Sequence, residues 1–218
     1  MKNYQYILFD WDGNLAKTLD VWLEACRIPL EKRGLKLSDT EIAASFGMFE
    51  KHVKDWGFAD EVDAISDEAD EIAAKKLPHV ELYPDALEVL GRLKESGKLT
   101  AVVTTSMHSQ VKDALNNHNM LRLFDEIVAW DDTTAHKPNA EPLEKALEKL
   151  GGNKEQAIMV GDTGKDILAG QNAGIDTVLY YPAEHAKFYS YDKLLGHNPT
   201  HVIDDFRKLL DIVGSRPA

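Results

Sequence analysis

In Tyr6-Ile7-Leu8-Phe9-Asp10-Trp11-Asp12-Gly13-Asn14-Leu15 an unbroken apolar run ends on two acids and a glycine. The run is too short for a helix, and its lack of polar alternation suits a strand buried on both faces of a parallel sheet. Five more runs of this kind follow: Leu99–Thr104, Glu126–Trp130, Ala157–Gly161, Asp176–Tyr181 and Thr200–Ile203. Between them lie helical patterns such as Asp85–Ser96, closed by Gly97, and Glu141–Leu150, closed by Gly151 and Gly152. Glycine just past a helix is a stop signal because it takes the left-handed conformation at little cost. The alternation predicts an α/β fold with a doubly wound, Rossmann-like parallel-sheet core and right-handed crossovers.

One stretch interrupts the alternation. From Leu15 to Leu82 no run reads as a strand, yet Val62, Ile65, Ala69 and Ile72 recur at helical spacing. Asp60, Glu61, Asp63, Asp67, Glu68, Asp70 and Glu71 crowd the other positions and read as a solvated face. The expected division is a core of residues 1–14 and 83–218 with an all-helical insert, 15–82. Leu82-Tyr83-Pro84 would be the return hinge, since proline biases its predecessor to extended geometry.

Composition narrows the partners. Against 37 Asp and Glu the 218-residue chain has 25 Lys and Arg, a net charge of −12. That excess speaks against nucleic acid, which needs a basic stripe to displace counterions, and against a polybasic membrane anchor. The single cysteine, Cys26, forms no internal disulfide and no multi-cysteine metal site, which fits a reducing compartment. The first apolar run is too short for a signal-peptide core or a membrane span. The expectation is a soluble cytoplasmic protein, with no nucleic-acid or membrane partner and nothing that demands more than a monomer or weak dimer.

In a parallel α/β sheet, ligands bind at the carboxyl ends of the strands. The first predicted strand delivers Asp10 and Asp12 there, the second Thr104, Thr105 and Ser106, and the fourth Asp162 and Asp166. After the third comes Lys137-Pro138. Carboxylates packed together repel unless a cation shares the site. An all-oxygen cluster suits a hard divalent ion, Mg²⁺ above all, which also takes a phosphate oxygen into its shell. Lys137 and the threonines then suit the remaining phosphate oxygens. Such a set fits phosphoryl transfer, with one aspartate as nucleophile and a second moving the proton.

These residues carry a resemblance to the haloacid dehalogenase superfamily, spanning nearly the whole chain. Asp10-Trp11-Asp12-Gly13-Asn14-Leu15 matches its first motif, Ala101-Val102-Val103-Thr104 its second and Lys137-Pro138 its third. Gly161-Asp162 through Asp166, followed by Ile167-Leu168-Ala169-Gly170, matches its fourth. The helical insert resembles the cap of the subgroup that includes phosphoglycolate phosphatase-like and β-phosphoglucomutase-like proteins. The resemblance implies a Mg²⁺-dependent phosphatase of a small phosphorylated metabolite, with Asp10 forming an aspartyl-phosphate and Asp12 as general acid and base. It further implies Asp10, Asp162 and the Asp12 backbone carbonyl as metal ligands and Thr104, Thr105 and Lys137 as phosphate binders. Asp166 would orient Lys137 or the metal's waters. A phosphomutase of the β-phosphoglucomutase type and a non-catalytic binding module on the same fold remain alternatives.

Two positions depart from the family pattern: Asn14 replaces the usual threonine, and Lys17 stands where an acid is frequent. Lys17 reads either as a hinge-surface residue or as a contact to an anionic part of the substrate. Phe46-Gly47-Met48-Phe49 reads either as core aromatics around a helix break or as a loop presented to the leaving group, with Gly47 and Met48 as specificity candidates. His108 and His136 are open between substrate contact and surface, Trp11 reads as a packing residue, and Cys26 as a small apolar one.

Overall fold

The computed structural model describes residues 2–214. Six strands form one parallel sheet: β1 (Tyr6–Phe9), β2 (Leu99–Val103), β3 (Glu126–Val128), β4 (Ala157–Gly161), β5 (Asp176–Tyr180) and β6 (His201–Ile203). Each lies where an apolar run predicts it, trimmed by a residue or two at the ends of five of them. The order is β3-β2-β1-β4-β5-β6, so strand order reverses between β1 and β4. The register aligns Phe9 with Val102 on one side and with Val160 on the other. The residues that follow these three strands therefore leave the sheet side by side.

Alternate side chains of β1 serve two cores. Ile7 and Phe9 enter a cluster with Val102, Val160 and the helices α5 (Ala86–Glu95), α6 (His108–Asn117) and α10 (Arg207–Val213). Leu8 enters the opposite one, with Ala101, Met159 and the helices α7 (Glu141–Lys149) and α8 (Gly164–Ala173). Burial on both faces is why these strands read as continuous apolar runs. A short helix, α9 (Tyr191–Leu195), joins β5 to β6.

The stretch after β1 is helical: α1 (Leu19–Lys32), α2 (Asp39–Ala43), α3 (Phe49–Asp55) and α4 (Val62–Lys76). On α4 the buried stripe is Val62, Ile65, Ala69 and Ala73, while Ile72 is half-buried. Leu30 and Val53 pack on Val62 and Ile65, giving these helices an apolar core of their own. The segment's two ends are zipped together by backbone bonds. Lys17 N donates to Glu81 O at 2.8 Å and Tyr83 N to Leu15 O at 3.0 Å, with Ala16 bridged to Leu82. Where the sequence predicts only an extended return at Leu82-Tyr83-Pro84, that return is paired.

No helix among the described residues is long and apolar enough to cross a membrane.

Candidate active site

At the end of β1 the chain turns sharply enough to place Asp10 and Asp12 beside the first residues past β2 and β4. Gly13 makes the turn possible with φ +72°; a Cβ there would stand 2.4 Å from Asp162 Oδ2 and 2.8 Å from Leu19 Cδ2. Asn14, fully buried, fixes the turn from beneath. Its amide donates to Asp10 O and Val160 O, both at 3.0 Å, and so ties the ends of β1 and β4 together. A threonine hydroxyl has one proton and would reach only one of these carbonyls at a time.

Lys137 comes in from the loop after β3 and is buried with its charge. Its Nζ lies 2.9 Å from Asp10 Oδ1, 2.6 Å from Asp166 Oδ1 and 2.9 Å from Val103 O. An ammonium has three protons, and three acceptors surround this one. Burial opposes its charge, but Asp10 and Asp166 outweigh burial and hold the proton more tightly than in water. Asp166 itself is held below the usual carboxylate range. Burial would raise it, but Lys137 and the Thr163 hydroxyl and N–H, at 2.7 and 3.0 Å, prevail.

Asp10, Asp162 and Asp166 each bring a carboxylate oxygen within 4.8 Å of the others. Three buried carboxylates against one ammonium leave two negative charges uncompensated. Both oxygens of Asp162 are buried without a hydrogen-bond partner among the described residues. An unpaired buried carboxylate is costly. A divalent cation removes that cost, so the donor set fits one with oxygen preference. Without it the acids retain protons. Burial, opposed by Lys137 and reinforced by Asp166 and Asp12, pushes the Asp10 carboxyl up to about 7. Burial and the charges of Asp166 and Asp10 hold Asp162 well above the ordinary value.

The sign of the resulting pH dependence is set by these shifts. Between the ordinary carboxylate value of 3.8 and about 7 the folded state holds protons that the unfolded chain has released. In chelator, stability therefore falls as pH rises through that window. A dication binds the deprotonated carboxylates, so its stabilising effect grows over the same window. Thermal melts in EDTA and in MgCl2 at about pH 5.5 and about pH 8 should show the larger Mg²⁺ shift at the higher pH; equal shifts would contradict this picture.

Asp12 does not join the carboxylate cluster through its side chain. Its Oδ1 accepts from Trp22 Nε1 of α1 at 3.0 Å and its Oδ2 from Ser106 Oγ at 2.6 Å. It stands at the boundary between sheet and insert, lining a cavity of about 630 Å³ that also takes in Asp10, Lys137 and Asp166. Thr105 and Ser106 line this cavity, whereas the Thr104 hydroxyl accepts from Ser106 N at 3.1 Å within its own buried turn. Gly47 and Met48 face the cavity from the insert, and Phe46 and Phe49 do so while also packing on the insert's core. Cys26 lines the far wall, its thiol pushed up to about 12 by burial and by Asp70.

Lys17 is not brought to this cavity. It lies 3.4 Å from Glu184 and beside the Tyr83 ring, bordering a separate shallow depression with Lys75, Lys76 and His79. The backbone pairing of Lys17 with Glu81 holds it at the zipped hinge. His108 is tied to Asp132 at 2.9 Å at the start of α6, and His136 is stacked on Trp130. Trp11 is buried in the core.

The sequence reading passes over several cavity residues. Trp22 reveals itself only by gripping Asp12, whose other carboxylate oxygen is held by Ser106, a residue the sequence does offer at the end of the second strand. Tyr189, from the segment after β5, lines the cavity while its neighbour Phe188 is sunk among Leu19, Leu23 and Ile42 of the insert. No spacing rule points to it, because it lies outside every motif. Lys165 is overlooked between the two acids of the fourth motif. Burial pulls its proton affinity below normal, and its Nζ donates to Phe46 O at 2.5 Å across the cavity.

The sequence profile of haloacid dehalogenase-like hydrolases matches residues 7–180. Pyrophosphatase PpaX of Halalkalibacterium halodurans is 41% identical over 135 residues, 62% of this chain and 61% of that protein. The matched part thus spans less than two thirds of that relative. Pyrophosphatase PpaX of Oceanobacillus iheyensis is 29% identical over 216 residues, covering 95% of this chain and 96% of the relative. Among solved structures, a predicted phosphoglycolate phosphatase from Haemophilus somnus superposes with a TM-score of 0.82 at 24% identity, over 97% of this chain and 99% of the other. CbbY of Rhodobacter sphaeroides, in complex with xylulose-(1,5)bisphosphate, does so with 0.75 at 20% identity, over 94% and 96%. These last two are likenesses of fold.

Proposed function

The chain belongs to the haloacid dehalogenase-like hydrolases, and from that premise we propose that it is a Mg²⁺-dependent phosphatase of small phosphorylated compounds. One observation carries the reading: Lys137 pairs with Asp10 and Asp166 while both oxygens of the neighbouring Asp162 are buried and unpartnered. That is a carboxylate cluster with one ammonium ion-paired to it and an acid left over for a metal cation. The PpaX relatives, named as pyrophosphatases, extend the candidate substrates from esters to phosphoanhydrides.

Asp10 acts as the nucleophile. A carboxylate oxygen attacks phosphorus, the bond from phosphorus to the leaving oxygen breaks, and an aspartyl-phosphate remains. Asp12, held by Trp22 and Ser106 at the cavity wall, gives its proton to the leaving oxygen. It then takes a proton from the water that attacks phosphorus, releasing orthophosphate and the Asp10 carboxylate. Lys137 opposes the rise in proton affinity that burial gives Asp10 and spreads the phosphoryl charge, and Asp166 aims Lys137. Thr105, Ser106 and the backbone after Thr104 bind phosphate oxygens. A divalent ion held by Asp10, Asp162 and the Asp12 carbonyl, with Asp166 beside it, would supply charge neutralisation for the phosphoryl group. Residues 15–82 act as a cap that excludes water, with Gly47 and Met48 facing the leaving group.

The test is phosphate release from a panel of phosphorylated metabolites and pyrophosphate, with Mg²⁺ and with EDTA. Release that requires Mg²⁺ is the expected result. Isomerisation of a hexose 1-phosphate without free phosphate would make the chain a mutase. No turnover of any member would leave a binding module.

A further inference from the structure

The cavity holds two lysines of unequal standing. Lys137 has three acceptors around its Nζ. Lys165 has one, the uncharged Phe46 carbonyl at 2.5 Å, and among the described residues it forms no ion pair. It is half-buried at the start of α8 and lines the same cavity as Asp10 and Lys137. An ammonium withdrawn from water with one neutral acceptor keeps two protons to donate, and the carboxylates of Asp166, Asp10 and Asp162 act on it through space without pairing with it. The insert makes room for it. Gly47, with φ +71°, passes so close that a Cβ would stand 3.0 Å from Lys165 Nζ and 3.7 Å from Thr105 Oγ1. The acids of the insert that border the cavity, Glu50 and Asp70, are exposed to water, as is Lys51. The place prepared for a second negative charge is thus beside Lys165, between the fourth-motif turn and the Phe46-Gly47 turn.

We propose that Lys165 is a specificity-determining residue that binds an anionic group on the leaving side of the substrate. This inference rests on the phosphatase reading and narrows it. The preferred substrates are phosphate compounds whose leaving group carries a second cluster of anionic oxygens, phosphoryl or carboxylate, rather than neutral alcohols. It also assigns to Lys165 the task that the sequence left open for Lys17.

The experiment compares kcat/KM for pyrophosphate and for 2-phosphoglycolate with kcat/KM for phenyl phosphate, whose leaving group is uncharged. Lys165→Met should lower one or both ratios by about 10- to 100-fold, the loss of a charge-assisted hydrogen bond. Lys165→Arg should retain most of the selectivity. A fall confined to pyrophosphate identifies a phosphoryl group, and one confined to phosphoglycolate a carboxylate. If Lys165 merely tethers the insert to the core, all substrates suffer alike and the ratios stand, which overturns the proposal. Calorimetric titration in an Asp10→Asn background separates the two claims, because it needs no turnover. There the extra affinity for pyrophosphate over orthophosphate should shrink on Lys165→Met. An unchanged difference refutes the role of Lys165, whereas absence of turnover in the native chain refutes the phosphatase reading alone.

Discussion

Asp10→Asn is expected to cut phosphate release by at least about 10⁴-fold, the scale seen when a covalent nucleophile is removed. The amide oxygen can still accept from Trp11 N, which donates to Asp10 Oδ1 at 2.7 Å, and can still face Lys137. The turn is further held by Asn14 from below. The fold should therefore survive. Removal of one of two uncompensated charges should leave the metal-free melting temperature unchanged or higher and reduce the stabilisation by Mg²⁺. Loss of turnover with an intact melt identifies a chemical role. The companion measurement is acid quench during turnover, which should trap phosphorylated native chain and none in Asp10→Asn. Turnover above about one per cent of native would remove Asp10 from the centre of the mechanism.

Lys137→Met should damage both chemistry and stability, which distinguishes it from the change at Asp10. The lysine side chain is 3% exposed and its partner Asp166 0%. Breaking a buried pair by removing one partner typically costs about 3–5 kcal/mol, because the remaining charge is stranded. For a chain of this size that is roughly a 10 °C fall in melting temperature. The companion change Asp166→Asn should recover part of the stability in the double variant without recovering activity, since it neutralises the stranded charge. Melting curves of the two single variants and the double settle the coupling. Additive losses would mean that Lys137 and Asp166 do not act as a unit.

How much of this was legible beforehand follows from what each signal encodes. Six apolar runs became six strands because burial on both faces of a parallel sheet leaves no polar alternation in the sequence. The acids after β1 and β4 and the lysine after β3 were legible as site candidates because strand ends share one edge whatever the details of packing. Lys17, Lys137 and Lys165 show the limit. Each is a lysine near a motif: Lys137 was legible as the site lysine, Lys17 was open between hinge surface and substrate, and nothing local says that Lys165 reaches across a cavity to Phe46.

Sequence alone determined the α/β class, the helical stretch after β1 and the acids at the ends of β1 and β4, since these depend on hydrophobic period and on the order of short segments along the chain. Tertiary structure alone decided that Trp22 and Ser106 grip Asp12, that Tyr189 reaches the cavity and that Lys165 forms no ion pair among the described residues. Those contacts join residues far apart in the chain. Their distances are set by how helices pack on the sheet and on each other, a property of three-dimensional neighbours that no local pattern records.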